Sequence, residues 1–592
     1  MNRFGIIGCG ALALVAFAGC ERREPQVPAK ASAQEAAKAP QPAAQPFDGR
    51  KKFVAFGWEM QGDLTPEKLK DNQPELAKTG LAGVGVYLPK CFSSAANPSN
   101  RLKSVVEDTF RWQKEDFGDV TARYREVLKL PALQHCFVKT FFHHPTKRLD
   151  WTDDAVWARI AHNMRVAAWF AKESGFKGLC VDHEDYGKAR QFLRQPGERP
   201  YGELKALARR RGRELFAGVF EEFPDAALLF YWFLTEQRNY IGSPDPMGLA
   251  ALKGDLWPAF ANGIMDVMPP AVKLVEGVEW AYEYEASKND FTRSAVDQRE
   301  GVIGLVEPEN LAKYRGQLSI GFGLYLDSYV NKAGSRYYFG PVDGSRTAHF
   351  DRNATAAAFA ATEYVWLWGE RGKWVDWKPD APAWLKKEGL WPTRLAGLAD
   401  VLQAISDPDG YADRRAKELR AANAFRSLTW NGTCDPHVKG LPQGFTGDEK
   451  GKAMPAPFYF WYDSNFRRGK AGIDIGGGEN GGNALRIEGV QSGCVMYHVP
   501  EKDGKPGDMF VFEVSVKGRA SVRLGRRFVP VGGDPSAWRV YRGLIRIGEN
   551  GAGSGVNLWV NQEEGESTWF DNVKLVRAFR FVPDGESLSQ TK

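Results

Sequence analysis

At 592 residues, with 43% apolar and 26% charged residues, the chain has the balance of a soluble globular protein and is too long for one ordinary domain. A formal net charge of +6, spread thinly and without a basic–aromatic platform, argues against a nucleic-acid partner. Nineteen Trp, 19 Tyr and 36 Phe suit large cores and suit stacking on sugar faces equally.

Arg3 precedes an apolar run from Phe4 to Ala18, followed by Gly19-Cys20. This is the pattern of an export signal, too short to span a bilayer comfortably. Phe17-Ala-Gly-Cys20 resembles the lipobox of bacterial lipoproteins. That resemblance implies a signal peptide over 1–19, cleavage before Cys20 and lipid on its thiol. It implies an exported lipoprotein held by its lipid at an outer membrane or cell surface. Residues 20–46, rich in Ala, Pro, Gln and Lys, read as a disordered tether. Cys91, Cys136, Cys180, Cys434 and Cys494 remain, without CxxC spacing, and most are expected as buried thiols.

From 47 to 423 strand and helix alternate. Strands are expected over 53–59, 81–88, 133–142, 179–182, 227–234, 272–276, 319–326 and 364–368. Helices are expected over 66–78, capped by Thr65 with Pro66 at the first position, and over 154–173, 202–223, 289–317, 354–363 and 384–405. Pro74 is placed to break or kink the first helix. Eight strands with intervening helices predict an α/β fold of the (β/α)8 TIM-barrel type. No glycine-rich phosphate loop follows the first strand, which disfavours an open doubly wound sheet.

In such a barrel the site lies where strands run into their following loops. Acids gather there: Glu59, Asp182, Glu184, Asp185, Glu236, Glu276, Asp327 and Glu370. Strand alternation puts Asp182 and Glu184 on one face and turns His183 and Asp185 away. Hydrolysis of a glycosidic bond needs a proton for the leaving oxygen and a negative partner for the oxocarbenium-like carbon, and paired carboxyls supply both. Trp58, Tyr87, Tyr186, Trp232, Tyr325, Trp366 and Trp368 lie at the same rim; all but Trp366, with Glu59, are candidate substrate contacts.

Ser174-Gly-Phe-Lys-Gly-Leu-Cys-Val-Asp-His-Glu184 resembles the fourth-strand motif of chitinase-type glycoside hydrolases. The resemblance implies Glu184 as proton donor and Asp182 as the neighbour that holds an acetamido group. Lys177 and Cys180 stand where that motif has Asp, so the likeness is one of architecture. The wider resemblance to barrel glycoside hydrolases implies Asp327 as nucleophile after the seventh strand, with Glu276 and Glu370 in reserve. No cofactor is required for this chemistry. A metal site built on Asp182, His183, Glu184, Asp185 and His143-His144 is the less favoured reading, because adjacent strand residues point opposite ways.

Past 424 helical periods give way to short strands between glycine-rich turns, which predicts a β-sandwich over 424–592. Ala484-Leu-Arg-Ile-Glu, Gly507-Asp-Met-Phe-Val-Phe-Glu and Thr568-Trp-Phe-Asp-Asn-Val-Lys-Leu575 resemble jelly-roll carbohydrate-binding modules. That resemblance implies Asp571 as a ligand of structural calcium. Together these features lead to an exported glycoside hydrolase acting on a poly- or oligosaccharide. Two rivals are a non-catalytic glycan-binding lipoprotein and a metal-dependent esterase or deacetylase.

Overall fold

Nine parallel strands form the first sheet. They are β1 (Lys52–Gly57), β2 (Gly83–Tyr87), β3 (Phe137–Phe141), β4 (Gly178–Asp182), β5 (Ala227–Phe230), β6 (Lys273–Glu276), β7 (Leu318–Ile320), β8 (Phe322–Tyr325) and β9 (Tyr364–Gly369). Their order is β7-β6-β5-β4-β3-β2-β1-β9-β8. The computed structural model describes residues 49–61, 64–88, 105–106, 108–141, 148–184, 189–378, 388–428, 433–434, 458–462, 469–498, 504–524, 527–548 and 555–585. Cys20 and the signal and tether segments lie outside them, as do Cys91, His143, His144, Asp185 and Tyr186.

The two edge strands, β7 and β8, are consecutive in the chain and parted only by Gly321. The seventh strand expected over 319–326 is therefore two short strands. β7 pairs with β6 and β8 with β9, so the sheet is nearly closed. Gly321 N donates to Glu276 O at 2.9 Å, and a Cβ there would meet that oxygen at 3.0 Å. The strands are short and almost wholly buried, as strands covered on both faces must be.

Helices join them: α1 (Pro66–Leu76), α2 (Val120–Val127), α3 (Asp154–Ser174), α4 (Tyr201–Glu222), α5 (Pro246–Lys253), α6 (Trp257–Val267), α7 (Asp290–Val296), α8 (Leu311–Gln317), α9 (Arg346–Ala360), α10 (Trp391–Arg394), α11 (Leu398–Ser406) and α12 (Pro408–Ala421). Thr65 caps α1 through Lys68 N, and Pro74 sits near its end without breaking it. Having no N–H, Pro74 forgoes the bond that another residue there would donate to the carbonyl four residues back. Asp153 caps α3, and Gly175, at φ 85°, ends it and turns the chain into β4. The helix expected over 289–317 is broken into α7, a π turn and α8. Among the described residues no helix is long and apolar enough to cross a membrane.

The C-terminal strands are β10 (Phe458–Tyr462), β11 (Lys470–Asp474), β12 (Ala484–Glu488), β13 (Gly493–His498), β14 (Met509–Lys517), β15 (Arg519–Leu524), β16 (Arg527–Gly532), β17 (Arg539–Arg546), β18 (Gly555–Val560) and β19 (Ser567–Phe579). They form two five-stranded antiparallel sheets, β10-β13-β18-β15-β16 and β11-β12-β19-β14-β17. Sequence reasoning missed β10, β11 and β16. Along β14, Phe510, Phe512 and Val514 point into the sandwich core. Met509 and Val511 point out and join the apolar core of the first sheet and its helices. Arg420 of α12 pairs with Glu513 of β14 at 2.6 Å.

Candidate functional site

A cavity of about 430 Å³ opens where the parallel strands end. Its carboxyl groups are Asp182, Glu184, Glu279 and Glu370. Its rings are Trp58 and Trp368 with Tyr231, Tyr282, Tyr325, Tyr337 and Phe141, and Lys139 supplies its cation. Below it Val54, Phe56, Cys180, Leu229, Val275 and Trp366 fill the inside of the sheet.

Asp182 ends β4, and Lys139 lies on the neighbouring β3. Lys139 Nζ stands 3.0 Å from Asp182 Oδ2, with 2% and 3% of the two side chains exposed. The rings of Phe141, Tyr231, Trp368 and Tyr87 surround the ammonium at 4.7, 4.8, 4.8 and 5.4 Å. Burial opposes the lysine's charge, but Tyr87, Asp182 and Cys180 outweigh it and hold its pKa above the ordinary range. The other Asp182 oxygen accepts from Glu184 N at 3.2 Å. Asp182 is thus a fixed anion with both oxygens engaged.

Glu184 shares the cavity with Asp182. His183 turns the other way, stacked on Trp257 at 3.8 Å and 5°, with Nε2 3.5 Å from Glu236. Glu279 reaches Glu184 from the segment after β6. The residue before it, Val278, is buried with φ 42°, a costly conformation for a β-branched side chain. Glu279 N donates to Tyr231 O at 3.0 Å, which fixes the turn. Desolvation first, and then the charges of Glu184 and Asp182 with a hydrogen bond to Glu184, push the Glu279 pKa far above the carboxylate range. Two carboxyls this close cannot both ionise, so the pair holds a proton at neutral pH.

Glu276 lies outside the cavity lining. Its buried carboxylate accepts from Phe233 N (2.7 Å), Leu234 N (2.8 Å), Thr235 N (3.3 Å) and Thr235 Oγ1 (2.8 Å), clamping the turn after β5. Asp327 is also buried behind the lining. Its Oδ2 accepts from Glu370 N at 2.8 Å, which fixes the backbone of a residue that does line the cavity. Burial, opposed by that bond and aided by the Glu370 charge, raises the Asp327 pKa to about 6. Glu59 is tied down elsewhere: its Oε2 accepts from Trp374 N and Trp377 Nε1, both at 2.9 Å.

Of the aromatic candidates, Trp58, Tyr325 and Trp368 line the cavity. Tyr87 stands beside it against Phe141, and Trp232 packs on Trp280 at 5.9 Å. Lys139, Tyr231, Glu279, Tyr282 and Tyr337 escaped sequence reasoning. Lysine within the apolar run Phe137-Val-Lys-Thr-Phe was the one available signal, since buried lysine needs a partner.

Among the described residues no group of three His, Cys, Asp or Glu side chains could hold a metal ion. Asp571 Oδ2 accepts from Glu479 N at 2.9 Å and Oδ1 from Asn572 N at 2.6 Å. Glu479 Oε2 in turn accepts from Ser515 Oγ and Asn572 Nδ2.

No protein-family model and no curated protein sequence matches the chain. A glucosidase structure from Croceicoccus marinus overlaps 89% of this chain and 96% of its own, at 9% identity and a TM-score of 0.33. A structure of carbohydrate-binding and catalytic modules of an endo-1,4-beta-D-xylanase from Clostridium thermocellum, complexed with xylohexaose, overlaps 20% of this chain and 26% of its own, at 12% identity and a TM-score of 0.16. A family 22 carbohydrate-binding module from the same organism overlaps 25% of this chain and 100% of its own, at 12% identity and a TM-score of 0.17. Overlaps this loose decide nothing about chemistry, which rests on the chain's own residues.

Proposed function

We propose that the chain is a glycoside hydrolase acting on a poly- or oligosaccharide, with the cavity as its active site. Counting β7 and β8 as one strand bent at Gly321 makes the first sheet an eight-stranded barrel of the TIM type. The observation that carries the reading is four carboxyl groups, Asp182, Glu184, Glu279 and Glu370, set among rings that suit sugar faces.

In this reading the Glu184–Glu279 pair gives its proton to the glycosidic oxygen as the bond to the anomeric carbon breaks. The oxocarbenium-like carbon is stabilised by the fixed charge of Asp182 and by Glu370 from the β9 side. Water then adds to that carbon and returns a proton to the carboxylate pair. Asp327 acts through Glu370 as a positioning residue. Export and lipid attachment at Cys20 belong to the same proposal and rest on residues 3–20 alone.

Release of reducing ends from a panel of complex glycans tests it. Glu184→Gln and Glu279→Gln are each expected to lower kcat by about 100-fold or more. Unchanged turnover in both variants overturns the assignment. Glycan retention by the wild type without any turnover favours the non-catalytic binding protein.

A further inference from the structure

The outer face of the sheet β11-β12-β19-β14-β17 has two unlike ends. At one end Met509 and Val511 are buried in the core of the first sheet's helices. At the other a row of residues crosses the strands. Arg486 on β12 is directly opposite Trp569 on β19, and Trp569 is directly opposite Lys517 on β14. Trp538, just before β17, closes the row. The Arg486 guanidinium lies 5.3 Å from the Trp569 ring centroid. Lys517 Nζ lies 4.3 Å from that ring and 5.3 Å from the Trp538 ring.

Neighbouring strands stand 4.7–4.9 Å apart, so Arg486 and Lys517, one strand apart from Trp569 on either side, are about 10 Å from each other. Indole faces attract both cations and restrict their rotamers, which lowers the entropy lost when an anion binds. Trp569 is itself fixed, since its Nε1 donates to Asp474 Oδ2 at 2.7 Å. A hollow of about 200 Å³ lies beside Arg486, bordered by Lys470, Gly472 and Asp474. Glu488 reaches Arg486 at 3.1 Å, but the side chains are 45% and 40% exposed, and so open a pair competes weakly with a ligand.

We infer that this row is a second binding site, a strip for an acidic polysaccharide. Carboxylate or sulfate groups on the glycan pair with Arg486 and Lys517, while Trp538 and Trp569 border the sugar rings. That the ligand is a glycan rests on the proposed hydrolase reading; that it is anionic rests on the row alone. Three cations, Arg486, Lys517 and Lys470, flanked by Asp474 and Glu488, neutralise too few phosphates for a nucleic acid.

Equilibrium binding of the full chain to polygalacturonate, dextran sulfate, uncharged dextran and oligothymidylate tests the strip. The expected result is binding to polygalacturonate or dextran sulfate that weakens with salt, and none to dextran. The two acidic polymers tell carboxylate from sulfate. The Arg486→Gln/Lys517→Gln variant is expected to bind about tenfold more weakly with an unchanged unfolding midpoint. Trp58→Ala, which removes a ring from the cavity, is expected to bind these polymers as the wild type does, which separates the strip from the cavity. Undiminished binding by the double variant, equal affinity for dextran, stronger binding of oligothymidylate, or no binding at all overturns the inference.

Discussion

Lys139 Nζ and Asp182 Oδ2 stand 3.0 Å apart on adjacent strands, with almost none of either side chain exposed. A buried ion pair gains little over an apolar pair of the same size, yet removing one partner strands the other's charge. Lys139→Met and Asp182→Asn are each expected to cost about 3–5 kcal/mol in urea unfolding, and the double variant to cost less than the sum of the two. The remaining charge is the source of the loss in each single variant, and the double variant has none. Strictly additive losses would show that the two side chains do not depend on each other.

Glu59 carries a pH dependence of stability. Burial pushes its pKa up to about 8, against the opposing bonds from Trp374 and Trp377 and the charge of Lys373. The folded chain therefore binds more protons than the unfolded chain between the ordinary carboxylate range and pH 8. Stability is fully present below that range and falls as pH rises through 8. Glu59→Gln keeps an acceptor for both N–H groups and removes the titration. The unfolding free energy of this variant is expected to decline less between pH 5 and 9 than that of the wild type. Parallel declines would place the titration on other groups.

The alternation of acid-tipped strands and amphipathic helices made the parallel sheet legible, because strand burial and helix period are local properties of the chain. The same period placed Asp182 and Glu184 on one face with His183 turned outward. The strand end pointed to Glu276 and passed over Glu279, three residues on, which is the one that lines the cavity. The choice turns on Val278, whose left-handed backbone redirects the chain, and a valine gives no sign of that. Asp327 and Glu59 were visible as acids at strand ends. Their partners, Glu370 N and Trp374 N, are 43 and 315 residues away in the chain, and contacts that distant carry no local pattern. Lys139 was hidden for the same reason, since its charge is meaningful only beside a carboxylate from the next strand.

Asp327 offers a test of how the cavity is held in shape. Its Oδ2 accepts the Glu370 N–H at 2.8 Å, while its side chain stays out of the cavity lining. Asp327→Ala leaves that amide without its acceptor and frees the backbone that presents Glu370. Asp327→Asn retains an oxygen at the same place and loses the charge. If Asp327 only positions Glu370, the alanine variant is expected to lose kcat by tenfold or more with little change in KM, since small misplacements of a reacting group are costly. The asparagine variant is expected to recover most of that loss, because the carbonyl oxygen of its amide can still accept from Glu370 N. If Asp327 instead acts as a nucleophile, asparagine should be as inactive as alanine. Measuring kcat and KM for both variants, alongside Glu370→Gln, separates the two roles.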